Sequence, residues 1–196
     1  MLISCRTAAS TAGEPVASGF KPRLAKPNLT MPLNIRSRQK SHPTDAWLLR
    51  RLAKWTLAET GPGQAVEPGA HELGVYLVDP VEMARANWDY LQHDGPTDVI
   101  TFDYGEPGDA PKPGPILGDI FICPVVAEEF ARKYKTSWAE EVARYLIHGI
   151  LHLRGYDDSA PGLRGTMKRE ENQLMTAAAG RFPLSRLARG TRVVGR

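Results

Sequence analysis

The sequence predicts an α+β fold, a single small domain in which a mixed sheet of about four strands packs with about five helices. Three observations carry that reading. The chain has 196 residues, 42% hydrophobic and 24% charged, which suits one globular domain with tails. Between residues 31 and 180, short β-prone runs alternate with segments of helical periodicity. Two of the β-prone runs are joined by a long Pro/Gly loop whose spacing suits a hairpin, hence antiparallel pairing.

Leu33 to Arg36 reads as a short strand. Thr44 or Asp45 opens a helix to about Thr60, with Leu48, Leu49, Leu52 and Thr56 on one face and Gly61-Pro62-Gly63 as its stop. Residues 72–78, ELGVYLV, form a strand. Asp79, Pro80 and Glu82 are a cap, a first-turn proline and a third-position acid, and they start a helix carrying Met83, Asn87 and Tyr90. The turn HDGPTD (93–98) leads into the strand VITFDY (99–104). The loop GEPGDAPKPGP (105–115) has no apolar face, and ILGDIFIC (116–123) is the next strand. Pro124 opens a helix with Val126, Phe130 and Tyr134 near one face. Ser137 and Glu140 form a capping box for a helix to about Leu153, and Gly155 is its stop. A last helix, about 163–179, groups Leu163, Met167 and Leu174 before Gly180.

No apolar run approaches a membrane span, so a transmembrane protein is excluded. Two cysteines, Cys5 and Cys123, exclude a disulfide scaffold and a four-cysteine zinc site and suit a reducing compartment. The net charge of +3 hides a split. Residues 1–40 hold seven Lys/Arg and one acid, and residues 181–196 hold five Arg and no acid, so the segment between them carries −8. The organisation predicted is a basic, disordered N-terminal extension (1–30), a domain (31–180) and a basic C-terminal tail (181–196). Basic ends suit a polyanion such as RNA, yet neither end has interleaved aromatics to stack on bases, so solvated tails are expected. The extension lacks the apolar stretch of a secretory signal; its basic character is somewhat like a transit peptide, and translation from Met31 is the plainer expectation.

The chemistry is concentrated in HGILHLRGYDD (148–158). His148 and His152 lie four apart, so they project from one face of their helix, a turn apart. Gly155 permits a left-handed turn, and Asp158 then swings back to the same side. Two nitrogens and one oxygen leave a fourth tetrahedral position for water, the ligand count of a catalytic zinc site. Such a metal lowers the pKa of its water and polarises the bond attacked. The spacing also fits a metalloprotease, but that chemistry needs Glu directly after the first His, and here the residue is Gly149. His42, His71 and His93 are isolated and read as surface or loop residues.

Three blocks in order, GPTDVITFDY (95–104), LGDIFIC (117–123) and HGILHLRGYDD, resemble the YbeY endoribonucleases, also called rRNA maturation factors. The resemblance covers most of residues 31–180. It implies a small α+β domain with metal-dependent endonuclease activity on single-stranded RNA. It further implies a part in maturing the 3′ end of small-subunit (16S) ribosomal RNA, ribosome quality control, the small subunit as partner, and a cytoplasmic setting. One Zn2+ per chain would be held by His148, His152 and the residue at the family's third-histidine position, here Asp158. Asp adds negative charge and a harder donor. A second departure is Leu91, in ANWDYLQHD (86–94), where the family has an arginine thought to meet RNA phosphate. Arg154 is the nearest replacement cation in sequence. Thr97 and Asp98 precede a strand and are expected near the cleft without an assigned role. The alternative is a non-catalytic, metal-containing ribosome-assembly factor, and the missing arginine favours it.

Overall fold

A computed structural model describes residues 33–61 and 71–189. The extension expected at residues 1–30 and the Pro62-Gly63 part of the first helix stop lie outside the described residues. The element order is β1 (Leu33–Ser37), α1 (Ala46–Glu59), β2 (Glu72–Leu77), α2 (Pro80–Leu91), β3 (Val99–Asp103), β4 (Leu117–Ile122), α3 (Pro124–Tyr134), α4 (Trp138–Leu153) and α5 (Pro161–Arg181). A short 3-10 helix, Leu184–Leu187, follows.

Among the described residues the sheet has four strands in the order β1-β2-β4-β3. β1 and β2 are parallel, as are β2 and β4, while β3 and β4 pair antiparallel as the hairpin spacing requires. The alternation of side chains divides the sheet into two faces. Leu33, Leu73, Val75, Leu77, Ile120 and Ile122 belong to the main core with α1 and α4. Ile100, Phe102 and Phe121 form a second cluster with Met83 and Ala86 of α2. The predicted α2 start is present in detail, with Asp79 accepting from Glu82 N–H at 2.8 Å.

α4 is the central helix, buried on nearly all sides, and its capping box forms as predicted. It lies close against the sheet at Gly149. A Cβ there would lie 2.8 Å from Ile120 Cδ1, so only glycine lets the helix settle onto β4 at this level. The glycine of the H-G pair is thus a packing requirement between α4 and β4.

Three expectations need correction. The chain after residue 180 is not simply a solvated tail. α5 runs to Arg181, Phe182, Leu184 and Leu187 enter the main core, and Thr44 bridges Ala188. Leu163 is half exposed and so does not share the buried side of Met167, whereas Tyr134, 57% exposed, still stacks on Phe130 at 6.1 Å. His71 is buried; its Nδ1 accepts the Ile116 N–H at 3.0 Å and so joins the start of β2 to that of β4.

Candidate metal centre

Helical spacing brings His148 and His152 together as expected, with ring centroids 4.6 Å apart and both residues 2% exposed. Gly155 takes φ +94°, the left-handed turn that the sequence requires, and the chain returns Asp158 toward the histidines. Asp158 Oδ2 is 3.9 Å from His148 Nε2, and Oδ1 is 3.9 Å from His152 Nε2. The two Nε2 atoms are 3.0 Å apart. One ligand atom from each of the three residues lies within 4.8 Å of the others.

The partners of the opposite ring nitrogens fix the tautomers. His148 Nδ1 donates to Glu171 Oε2 at 2.9 Å, and His152 Nδ1 donates to the Tyr156 carbonyl at 3.0 Å. A carboxylate and a carbonyl can only accept, so each Nδ1 carries a proton, and in a neutral ring Nε2 is then the nitrogen that offers a lone pair. The two Nε2 atoms face each other at 3.0 Å, and two neutral rings so placed offer their lone pairs to one shared cation. Tetrahedral zinc with nitrogen ligands at about 2.0–2.1 Å holds those nitrogens roughly 3.3 Å apart. The donor set therefore fits a small divalent metal. Burial pushes the Asp158 carboxyl above its ordinary range, with the nearby His148 working against that shift.

Glu171 is a site residue that the sequence reading missed. It is 1% exposed on α5, between Met167 and Ala178 on the buried stripe. Burial alone would raise its pKa, but the hydrogen bonds from His148 and Lys168 outweigh burial and hold it down at about 2. Arg144 Nη1 at 2.5 Å and Lys168 Nζ at 2.8 Å complete its surroundings. The signal in the sequence is an acid in register with an apolar stripe, which asks for a buried partner. A carboxylate on the distal nitrogen of a metal-ligating histidine orients the ring and raises its basicity.

The other site expectations divide. Thr97 and Asp98 are both buried, and Asp98 lies close enough to His148 to feel its charge. Asp98 Oδ1 accepts from Val99 N–H at 2.9 Å and from Thr97 Oγ1 at 3.0 Å, while Oδ2 has no protein partner. Burial raises the Asp98 carboxyl, and these hydrogen bonds and His148 oppose the rise. Leu91 is half-buried against the second core cluster. Arg154 is a correction: it is 1% exposed, and its guanidinium is committed inside the protein. It donates to the carbonyls of Gly114 at 2.8 Å, Lys112 at 3.2 Å and Leu57 at 3.2 Å. Its own carbonyl accepts from Lys112 N–H at 2.7 Å. It ties the 105–115 loop and the end of α1 to the metal helix and does not serve as a phosphate contact.

Comparison with known proteins sets this geometry among relatives. A family profile described as Endoribonuclease YbeY matches residues 34–179. A protein from Mycolicibacterium smegmatis described as "Endoribonuclease YbeY" is 43% identical over 116 residues, 56% of this chain and 65% of its own length. One of the same description from Salinibacter ruber is 33% identical over 155 residues, 77% of this chain and 94% of its own. The solution structure of TM1509 from Thermotoga maritima has a TM-score of 0.49 at 23% identity, covering 84% of this chain and 99% of that one.

Proposed function

The chain belongs to the YbeY family of endoribonucleases, and from that premise we propose that it is a metal-dependent hydrolase cleaving single-stranded RNA. Its metal is one zinc ion per chain, with His148, His152 and Asp158 as ligands. Its setting is the bacterial cytoplasm, its partner the small ribosomal subunit, and its work the maturation of the 3′ end of small-subunit ribosomal RNA and ribosome quality control. No described helix is long and apolar enough to cross a membrane. The observation that carries the proposal is the facing pair of Nε2 atoms at 3.0 Å with a carboxylate oxygen 3.9 Å from each.

When bound, the metal supplies positive charge to a phosphate oxygen and makes its water more acidic. The chain's own residues prepare that site. Glu171 and the Tyr156 carbonyl hold the Nδ1 protons, so both imidazoles present Nε2. Gly155 turns the chain so that Asp158 closes the third side. The burial of α4 keeps the ligands in one arrangement before any ion arrives, which limits the entropy lost on binding. The test is cleavage of a single-stranded RNA with and without chelator. Cleavage abolished by chelator and restored by zinc supports the proposal, and chelator-resistant cleavage rejects it.

The second reading is a non-catalytic assembly factor, favoured by Leu91 because a leucine cannot neutralise a developing phosphate charge. The same assay separates the two. Stoichiometric metal with no cleavage by any metal-loaded sample selects the second.

A further inference from the structure

The docking of the C-terminal segment changes the surface beside α1. Arg181 adjoins Phe182 in the sequence, and the fold brings the segment that carries Arg181, Arg186 and Arg189 against the aromatic residues of α1. Asp45 N–H donates to the Leu187 carbonyl at 2.9 Å, and Arg189 N–H donates to the Pro43 carbonyl at 2.8 Å, which fastens the segment to the start of α1. Trp55 meets Phe182 edge-on at 5.7 Å. The Arg51 guanidinium lies 4.7 Å over the Trp47 ring and 5.6 Å over Phe182. Trp47 is nonetheless 64% exposed. Arg51 covers one side of its indole, and the remaining surface is open.

Further cations lie on the same two segments. Arg189 Nη2 is 3.7 Å from Asp45 Oδ1, two residues from Trp47, with its own side chain 62% exposed. Arg181 and Arg186 are exposed on the docked segment, and Lys54 is exposed on α1. Asp45 is a carboxylate among them, and its Oδ1 also accepts from Trp47 N–H and Leu48 N–H. The other end of the described chain arrives at the same helix, because Arg50 donates to the Leu33 carbonyl.

We propose that this face of α1 and residues 181–189 form a second, non-catalytic binding site for single-stranded RNA. A base stacks on Trp47, held from behind by Arg51, while Arg186, Arg189 and their neighbours meet the phosphates. An exposed aromatic among cations is the arrangement by which proteins hold single strands without reading sequence. A membrane fits less well, because the neighbouring large apolar groups, Phe182, Leu184 and Leu187, are buried and leave one indole to insert. The site is separate from the metal centre. Trp47 lies about 15 Å along α1 from Leu57, and it is Leu57 that meets Arg154 beside the metal turn. The choice of RNA rests on the function proposed above.

The test is the affinity of the full chain for a labelled, cleavage-resistant 2′-O-methyl oligoribonucleotide of about 12 nucleotides, read by fluorescence anisotropy across a salt series. Trp47→Ala is expected to weaken binding about tenfold, and Trp47→Phe to retain most of it. Replacing Arg186 and Arg189 together by Gln is expected to lower the salt slope by about 0.7 for each phosphate that is no longer neutralised. Both effects are expected unchanged in a His152→Ala background. The assay needs no cleavage, so failure of the nuclease proposal and failure of this one are read separately. Unchanged affinity and slope in both variants overturn the proposal. So does Trp47-dependent binding to phosphatidylserine vesicles with RNA affinity unaltered. The arginine pair is exposed and gives an answer even if Trp47→Ala folds poorly.

Discussion

Two residues of the informative segment show how far spacing can be trusted. His148 and His152 meet because four residues make about one helical turn, a local rule that holds wherever the helix is placed. Arg154 is a candidate cation only by its nearness in sequence, and nearness in sequence does not say which way a side chain leaves a helix end. It leaves inward, toward three carbonyls. Arg154→Ala is therefore expected to destabilise the protein by about 3 kcal/mol, because buried carbonyls lose their donors. Thermal melting reads this, and Arg154→Lys will not restore it fully, since one ammonium cannot span the same acceptors. Glu171→Gln keeps an acceptor for His148 but removes the charge, and it is expected to lower metal affinity about 10–100-fold, as read by competition with a chelator. Leu91→Arg tests the missing phosphate contact. Relative to Leu91→Gln, it is expected to raise RNA cleavage if its head group clears the cluster against which Leu91 packs. Equal rates in two folded, metal-loaded variants would reject the charge-deficit account. With Arg154 buried, a replacement cation would have to come from elsewhere.

The elements are legible where the chain announces its own ends. Asp79-Pro80, Ser137 with Glu140, and Gly155 are local stereochemistry, and each performs its predicted role. The left-handed caps of α2 and α3 at Gln92 and Lys135 are not legible, because neither residue carries glycine's signature. α5 is the hardest element to read for a physical reason. Its buried side includes Glu171, and Leu163 in its first turn is exposed, so its apolar periodicity is weak. The contact of α4 with the sheet gives a further prediction. Gly149→Ala gains up to about 1 kcal/mol of helix propensity, yet its Cβ would meet Ile120 at 2.8 Å, and overpacking costs about 1–3 kcal/mol. Net destabilisation is expected, with a lower Tm. Gly118→Ala is expected to be worse, since its Cβ would lie 2.4 Å from the Phe102 carbonyl, a backbone atom that cannot rotate aside.

For the whole molecule, the charge division of the sequence has a structural counterpart. The acidic segment 41–180 holds the metal-site residues, and part of the basic C-terminal segment is folded against it through Phe182, Leu184 and Leu187. A stretch so rich in arginine reads as a tail because Phe182, Leu184 and Leu187 are too few to show a period. Their burial becomes evident only when α4 and α1 supply the opposing surface. Burying three such side chains is worth roughly 5 kcal/mol or more. Truncation after Gly180 is expected to lower the Tm by about 10 °C or more. An unchanged melting curve would show that the docked segment contributes nothing to stability.

At the same scale, the central claim is that a metal held by His148, His152 and Asp158 makes this chain a nuclease. Elemental analysis of purified wild-type and His152→Ala protein, on the samples used for a single-stranded RNA cleavage assay, tests it most directly. The account predicts about one zinc per wild-type chain, with metal and cleavage lost together in the variant while its circular dichroism stays that of the folded protein. A folded His152→Ala protein that keeps its zinc, or one that loses the zinc and still cleaves at the wild-type rate, would contradict it.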